Sequence, residues 1–261
     1  MQHIKLALLQ TVLRWEDPDA NLDHLSGKIS ELSEPVDLII LPEMFTTGFT
    51  MEPHGVAEKM NGRAMGWMAR HAAERSCVVT GSMVIEDGGH YYNRLIWMPP
   101  DGHFSVYDKV HLFSYAGEDK HYSRGENKLI VSLKGWKIMP QICYDLRFPV
   151  WSRNRYVEGQ GFDYDCLLNV ANWPASRSHA WRILLMARAI ENMCYVVGVN
   201  RIGADERNIV YSGDSVALDP LGESLSAMLP NADATEIVTL NPCLLHSHRD
   251  TFRAWKDWDA I

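Results

Sequence analysis

Short apolar runs of the kind that form buried strands alternate along this chain with segments of helical period. That alternation narrows the fold before anything else does, because such runs need cover on both faces and the helices are what covers them. Residues 3–10 open the chain as a buried strand carrying Ile4, Leu6, Leu8 and Leu9. Leu22, Leu25, Ile29 and Leu32 recur at helical spacing over residues 19–32, with Asp19 or Asn21 as the expected cap. Val36-Asp-Leu-Ile-Ile-Leu41 is a second buried run, ended by Pro42. Val56–Arg75 reads as a helix and Cys77–Val84 as a strand. Tyr91–Met98 and His103–Tyr107 flank Pro99-Pro-Asp-Gly102, which is hairpin chemistry. Beyond it, strands are expected at 137–143, Cys166–Val170, Tyr195–Asn200, Val216–Asp219 and Glu236–Leu240, with helices from Pro149 and over Ser178–Asn192. The economical architecture is an α/β one: mixed sheets with helices packed outside.

No repeat, low-complexity tract or linker interrupts the 261 residues, which read as a single domain over 1–261 with 241–261 as a C-terminal tail. The composition, 46% hydrophobic and 22% charged, is that of a globular protein able to bury a large core. A net charge of −8 disfavours nucleic acid, which asks for a basic face. No apolar stretch has the length of a membrane span. Cys77, Cys143, Cys166, Cys194 and Cys243 are odd in number and widely spaced, so no disulfide framework is expected and a reducing cytoplasm is the expected compartment.

Three segments set a reactive side chain just past a strand. Glu43 lies in Leu41-Pro-Glu-Met-Phe-Thr-Thr-Gly-Phe49, at the carboxyl end of a strand, where α/β sheets build their sites. Lys109 lies in Tyr107-Asp-Lys-Val-His-Leu-Phe113 among aromatic and apolar neighbours. Cys143 lies in Pro140-Gln-Ile-Cys-Tyr-Asp-Leu-Arg-Phe-Pro149, between a strand and an expected helix. A strand–turn–helix junction exposes a nucleophile, offers it backbone N–H groups and lowers a thiol pKa. Each residue alone reads first as a loop glutamate, an edge lysine or an inert buried cysteine. That last reading is assigned to Cys77, Cys166 and Cys194.

Taken together, in this order and at this spacing, the three motifs resemble those of the nitrilase superfamily of carbon–nitrogen hydrolases. Ala187-Arg-Ala-Ile-Glu-Asn192 and Gly213-Asp-Ser215 near Asp219-Pro-Leu-Gly222 are also similar, and the resemblance runs from about residue 4 to about residue 240. It implies an αββα sandwich of two mixed sheets with outer helices, often paired as a homodimer. It also implies a Glu–Lys–Cys triad: Cys143 attacks an amide carbonyl, Glu43 moves the protons, and Lys109 with the backbone N–H of Tyr144 holds the oxyanion. Glu118 occupies the place of a supporting second glutamate, with Asp119 adjacent to it and a charged loop as the alternative reading.

The Met44-Phe-Thr-Thr-Gly-Phe49 loop and Asn172-Trp-Pro-Ala-Ser-Arg177 look like the bacterial omega-amidase branch, which hydrolyses 2-oxo dicarboxylic acid monoamides. Such a small-molecule substrate carries a free carboxylate. Arg177 is the candidate partner for it, a solvated loop arginine being the alternative. Phe45, Tyr115 and Trp173 are candidate pocket walls, and Arg147 is expected to pair with a carboxylate. Rival readings are an amidase acting on deaminated glutathione or an N-carbamoyl compound, and a non-catalytic binding protein on the same fold. Cys243-Leu-Leu-His-Ser-His248 suggests a metal hydrolase only weakly, and neither metal nor cofactor is expected. The aromatic stretch Phe252-Arg-Ala-Trp-Lys-Asp-Trp258 is expected to pack on the sandwich or a partner subunit.

Overall fold

In chain order the first half comprises β1 (Ile4–Gln10), α1 (Pro18–Ser30), β2 (Leu38–Ile40), α2 (Arg63–Arg75), β3 (Val78–Asp87), β4 (His90–Met98) and β5 (Ser105–Asp108). The second comprises β6 (Val131–Leu133), β7 (Trp136–Ile142), α3 (Pro149–Ser152), the two-residue strands β8 (Tyr156–Val157) and β9 (Gly161–Phe162), β10 (Cys166–Ala171), α4 (Ser178–Asn192) and β11 (Tyr195–Asn200). Then follow β12 (Ile202–Ala204), β13 (Val210–Ser212), β14 (Val216–Leu218), β15 (Ala234–Leu240) and α5 (Pro242–Phe252). This is a computed structural model, and it describes residues 1–259.

Two mixed sheets result, in the orders β15-β1-β2-β3-β4-β5 and β14-β11-β10-β7-β6. Each has parallel central strands and antiparallel edges. Strand alternation explains why the apolar runs are continuous. Ile4, Leu6 and Leu8 of β1 enter the layer between the sheets, beside Ile138, Leu168 and Val197 of the second sheet. Ala7 and Leu9 point the other way, to Leu22, Leu25 and Ile29 of α1 and Met68 and Ala72 of α2. In the second sheet Met139, Leu167 and Val196 likewise meet Trp181, Leu185 and Ala189 of α4. The layers are therefore helix, sheet, sheet, helix.

Several boundaries differ from the sequence expectation. Helix α1 is capped by Asp17, which accepts from the Ala20 N–H at 3.0 Å, rather than by Asp19 or Asn21. Asn21 instead ties the chain internally, through the Arg14 and Thr46 carbonyls at 2.7 and 2.8 Å. Helix α2 starts at Arg63, not near Val56, because Glu58 is held in the sheet by Val84 and accepts the free Ala64 N–H on its carboxylate. The helix from Pro149 lasts four residues, and the turn after β7 is a 3₁₀ turn over Cys143–Arg147.

The C-terminal segment is also more ordered than a polar tail. Asn241 caps α5 by accepting from the Cys243 N–H at 2.9 Å, and Leu245 is fully buried. Cys243, His246 and His248 lie along this helix, and no cluster of three or more His, Cys, Asp or Glu side chains suited to a metal forms among the described residues. Arg249, 4% exposed, donates to Asp165 at 2.6 Å and to the Tyr164 and Met193 carbonyls at 2.9 and 2.8 Å. Beyond the helix, Trp255 lies over Tyr156 at 4.0 Å and Trp258 under the Arg153 guanidinium at 4.5 Å, so both rings pack on their own chain.

Arg249→Ala leaves Asp165 buried without its cation, a loss of about 3–5 kcal/mol. Urea unfolding of the purified variant measures it, and a loss below about 1 kcal/mol would mean that α5 is anchored by its apolar face alone.

Candidate active site

The strand directions decide which loops meet. Strands β2 and β5 run the same way in the first sheet, since β3 is parallel to β2 and both β3–β4 and β4–β5 are antiparallel. Glu43 and Lys109 therefore leave the same edge. In the second sheet β7, β10 and β11 are mutually parallel, so Cys143, Asn172 and Arg201 also emerge along one edge. The two edges face each other, and the loops between them enclose a pocket.

At its base Lys109 lies between two carboxylates, all three side chains being fully buried. Its Nζ donates to Glu43 Oε1 at 2.9 Å and to Glu118 Oε1 and Oε2 at 3.0 and 2.9 Å. Glu43 also accepts from Asn93 Nδ2 at 2.8 Å and from the Asn172 backbone N–H at 2.7 Å. Glu118 accepts from the Phe113 N–H at 2.6 Å. Glu118 occupies this place while Asp119 is exposed, because a 3₁₀ turn over Glu118–Lys120 turns the two side chains apart. The loop carrying Glu118 is pinned at Gly125, whose N–H donates to the Lys109 carbonyl at 2.9 Å. A Cβ at Gly125 would sit 2.2 Å from the Asp108 carbonyl oxygen, so only glycine allows the approach.

Burial disfavours the Lys109 ammonium, but Glu118 and Glu43 outweigh it and hold the lysine pKa above its ordinary value. Glu118 is raised, first by burial and then by Glu43, against the pull of Lys109. Cys143 departs from the expectation of a depressed thiol pKa. Burial and the Glu43 charge push the thiol well above its usual range, beyond what Lys109 recovers. The lowering expected from the turn is outweighed by burial first, and then by two carboxylates set against one ammonium.

Cys143 has φ +44°, the left-handed region that costs a non-glycine residue about 1–3 kcal/mol. Asp145, two residues on and fully buried, holds this turn. Its Oδ2 accepts the Ile142 N–H at 3.0 Å and the Tyr107 hydroxyl at 2.7 Å, while Oδ1 accepts the His111 N–H at 3.0 Å and lies 2.8 Å from His111 Nδ1. Tyr107 and His111 flank Lys109, so one carboxylate fixes the cysteine turn against the lysine segment. The Tyr144 N–H lies at the start of that turn, where no intrahelical acceptor serves it.

Above this base, Phe49, Phe113, Trp173 and Ile209 wall the pocket, and Cys143 and Tyr144 line it. Two proposed walls are elsewhere. Phe45 is fully buried between the first sheet and α2, 5.9 Å from Trp67, in space that Gly81 leaves open. Tyr115 is 86% exposed, outside the pocket and in ring contact with Phe113. Phe49 and Phe113 take their places. Arg147, Arg177 and Arg207 also line the cavity, and none pairs with a carboxylate within 4.0 Å among the described residues. Arg147 was expected to form such a pair; its guanidinium lies over Trp173 at 4.8 Å instead, and that of Arg177 over Phe113 at 5.3 Å.

The profile of the carbon–nitrogen hydrolases matches residues 5–249. The chain belongs to that family. As a carbon–nitrogen hydrolase it is 42% identical to omega-amidase YafV of Yersinia enterocolitica, over 100% of this chain and 99% of the relative. It is 31% identical to the 2-oxoglutaramate amidase of Bacillus subtilis strain 168, over 85% of each chain. Among solved structures, the superfamily protein XC1258 of Xanthomonas campestris, which carries an arsenic adduct in its active site, superposes with a TM-score of 0.97 at 41% identity, over 100% of this chain and 99% of that one.

Sequence reasoning passed over Asn93, Asp145, Asn172 and the β12–β13 wall. Asn93 had a legible signal, a polar residue in the apolar run Tyr91–Met98. Asp145 and Asn172 stand inside motifs quoted above, but their roles were not legible, because their partners lie 34 to 129 residues away.

With burial and the Glu43 charge holding the thiol well above its usual range, Glu43 is the group placed to take its proton. Alkylation of Cys143 by iodoacetamide should therefore not climb between pH 8 and 9 as a free thiol with pKa about 8.5 does. Glu43→Gln should slow it at least tenfold and lower kcat by about 10²–10⁴. A rate following an ordinary thiol titration, unchanged in Glu43→Gln, would show that Cys143 ionises unaided.

Proposed function

We propose that this carbon–nitrogen hydrolase is an omega-amidase, releasing ammonia from the terminal amide of a small 2-oxo dicarboxylic acid monoamide such as 2-oxoglutaramate or 2-oxosuccinamate. The observation that carries the reading is a buried carboxylate–ammonium cluster beside the half-buried Cys143 thiol, opening into a pocket lined by three arginines without carboxylate partners. The names of the YafV and Bacillus subtilis relatives support the same substrate class.

In this mechanism Cys143 Sγ attacks the amide carbonyl as Glu43 takes the thiol proton. The oxyanion is met by Lys109 and the Tyr144 N–H, donors already fixed before the reaction begins. Glu43 passes its proton to the nitrogen, ammonia leaves, and a thioester remains. Water, deprotonated by Glu43, attacks the thioester and releases the dicarboxylate and the thiol. Glu118 orients Lys109 through two hydrogen bonds. Arg177 and Arg147, each positioned over an aromatic ring, bind the substrate's far carboxylate and 2-oxo group, and Trp173 is part of the pocket wall.

We extend the reading to a homodimer. Ile183, Met186 and Ile190 form an apolar stripe on the outer face of α4, each 40% exposed or more, and Leu221 adjoins them through Gly222, which packs on Met186 and Ile190. Five free thiols fit a reducing cytoplasm. No helix among the described residues is long and apolar enough to cross a membrane.

Purified protein should release ammonia from 2-oxoglutaramate, and Cys143→Ala should not; inactivity of the wild type on every 2-oxo monoamide would remove the substrate assignment. Arg147→Ala and Arg177→Ala should each raise KM roughly ten- to a hundredfold for carboxylate-bearing amides, the worth of one charge-assisted pair, and spare amides lacking one. Equal losses on both kinds of amide would argue against a carboxylate clamp. By light scattering the wild type should be a dimer and a Met186→Glu, Ile190→Glu variant a monomer, and an unchanged mass would place any interface elsewhere.

A further inference from the structure

Asn172 directly follows β10 and lines the pocket beside Cys143. It is 4% exposed and holds Glu43 at both ends: its backbone N–H donates to Glu43 Oε2 at 2.7 Å, and its side-chain Nδ2 donates to the Glu43 carbonyl oxygen at 2.6 Å. A carbonyl oxygen only accepts, so this bond fixes which end of the Asn172 amide is nitrogen. Oδ1 is therefore turned away from the Glu43 backbone, and it is buried with no hydrogen-bond partner.

A buried acceptor left unpaired is costly, and a folded chain normally supplies a donor. Here the donors clustered on Glu43, and the N–H that follows Asn172, are engaged by other acceptors. Lys109 Nζ is held by Glu43 and Glu118, Asn93 Nδ2 by the same two carboxylates, and the Trp173 N–H by Asn200 Oδ1 at 2.8 Å. Asn93 Oδ1 is also unpaired, but Asn93 does not line the pocket. The group missing a donor thus belongs to a residue that lines the pocket and is bonded to the proton-carrying carboxylate.

We infer that Asn172 Oδ1 accepts an N–H of the substrate's scissile amide, and so selects primary amides over the matching esters. This rests on the amide-hydrolase reading above. The bond holds the leaving nitrogen beside Glu43, with its lone pair free to receive the proton that Glu43 took from Cys143. An ester offers an oxygen lone pair where the N–H would be, so Oδ1 stays unpaired and faces a second acceptor. Discrimination then arises from the unpaired polar group rather than from size.

The test is the ratio of kcat/KM for 2-oxoglutaramate to kcat/KM for the corresponding omega-methyl ester, in the wild type, Asn172→Ala and the near-isosteric Asn172→Leu. Both variants also loosen Glu43, which slows both substrates; the ratio isolates the N–H contact. It should fall about ten- to a hundredfold in each variant that folds, as judged by its thermal melt. Asn172→Asp, which keeps an oxygen acceptor and loses the Nδ2 donor, should slow both substrates and hold the ratio within about threefold of wild type. A ratio unchanged in the alanine or leucine variant overturns the inference and leaves Asn172 as a support for Glu43. If the wild type accepts no 2-oxo monoamide, the substrate assignment alone fails, and the same ratio on a primary amide and ester that it does turn over then tests Asn172.

Discussion

A fully buried ammonium held between two carboxylates is the interaction on which the rest of this molecule depends. Three charges out of water cost several kcal/mol each before their mutual attraction is counted. The structure offsets that with neutral donors: Asn93 on Glu43 and Glu118, the Phe113 N–H on Glu118, and the Asn172 N–H on Glu43. These come from β4, from the loop after β5 and from the end of β10, so the cluster forms only when both sheets are in place. One positive charge against two negative ones leaves an excess that the thiol feels.

Burial, with that excess behind it, accounts for the resting state of the nucleophile. Many reactive cysteines are activated by a cationic neighbour that depresses the pKa. Here Lys109 is beside the thiol, yet its charge is already matched by Glu118, and burial with Glu43 decides the direction. The thiol stays protonated, and its reactivity depends on a proton transfer within a fixed cluster. Because these groups titrate together, a pH profile of the enzyme describes the cluster rather than one residue.

Two polar residues carry the coupling between the sheets. Asp145 joins the turn after β7 to Tyr107 and His111 around Lys109, and Asn172 joins the end of β10 to Glu43. Both meet the first sheet at an edge where the apolar interior ends and the reacting groups begin. The strained φ of Cys143 is maintained by this arrangement, since Asp145 holds Ile142, the residue just before Cys143, to the Tyr107–His111 segment.

The amino-acid order by itself determined the elements and the α/β class, because strand alternation and helical period are local; the helix–sheet–sheet–helix layering was implied only by the family resemblance. Tyr195–Asn200 and Ser178–Asn192 begin and end where their patterns do. It also determined which segments bear chemistry, since Glu43, Lys109 and Cys143 each stand directly after a run of strand residues. Helix starts were less legible: α2 begins where Glu58, itself held by a distant strand, caps it. The walls of the pocket were decided by tertiary structure alone. Phe45 and Phe49 stand four residues apart in one loop, and only the packing against Trp67 and Gly81 sends the first into the core and leaves the second facing the cavity. The same holds for the arginines, whose identity is visible but whose freedom from carboxylates is a matter of what the fold brings near them. Charge and pairing depend on distance in space, and for Asp145 and Asn172 the distance that matters spans 34 and 129 positions of chain.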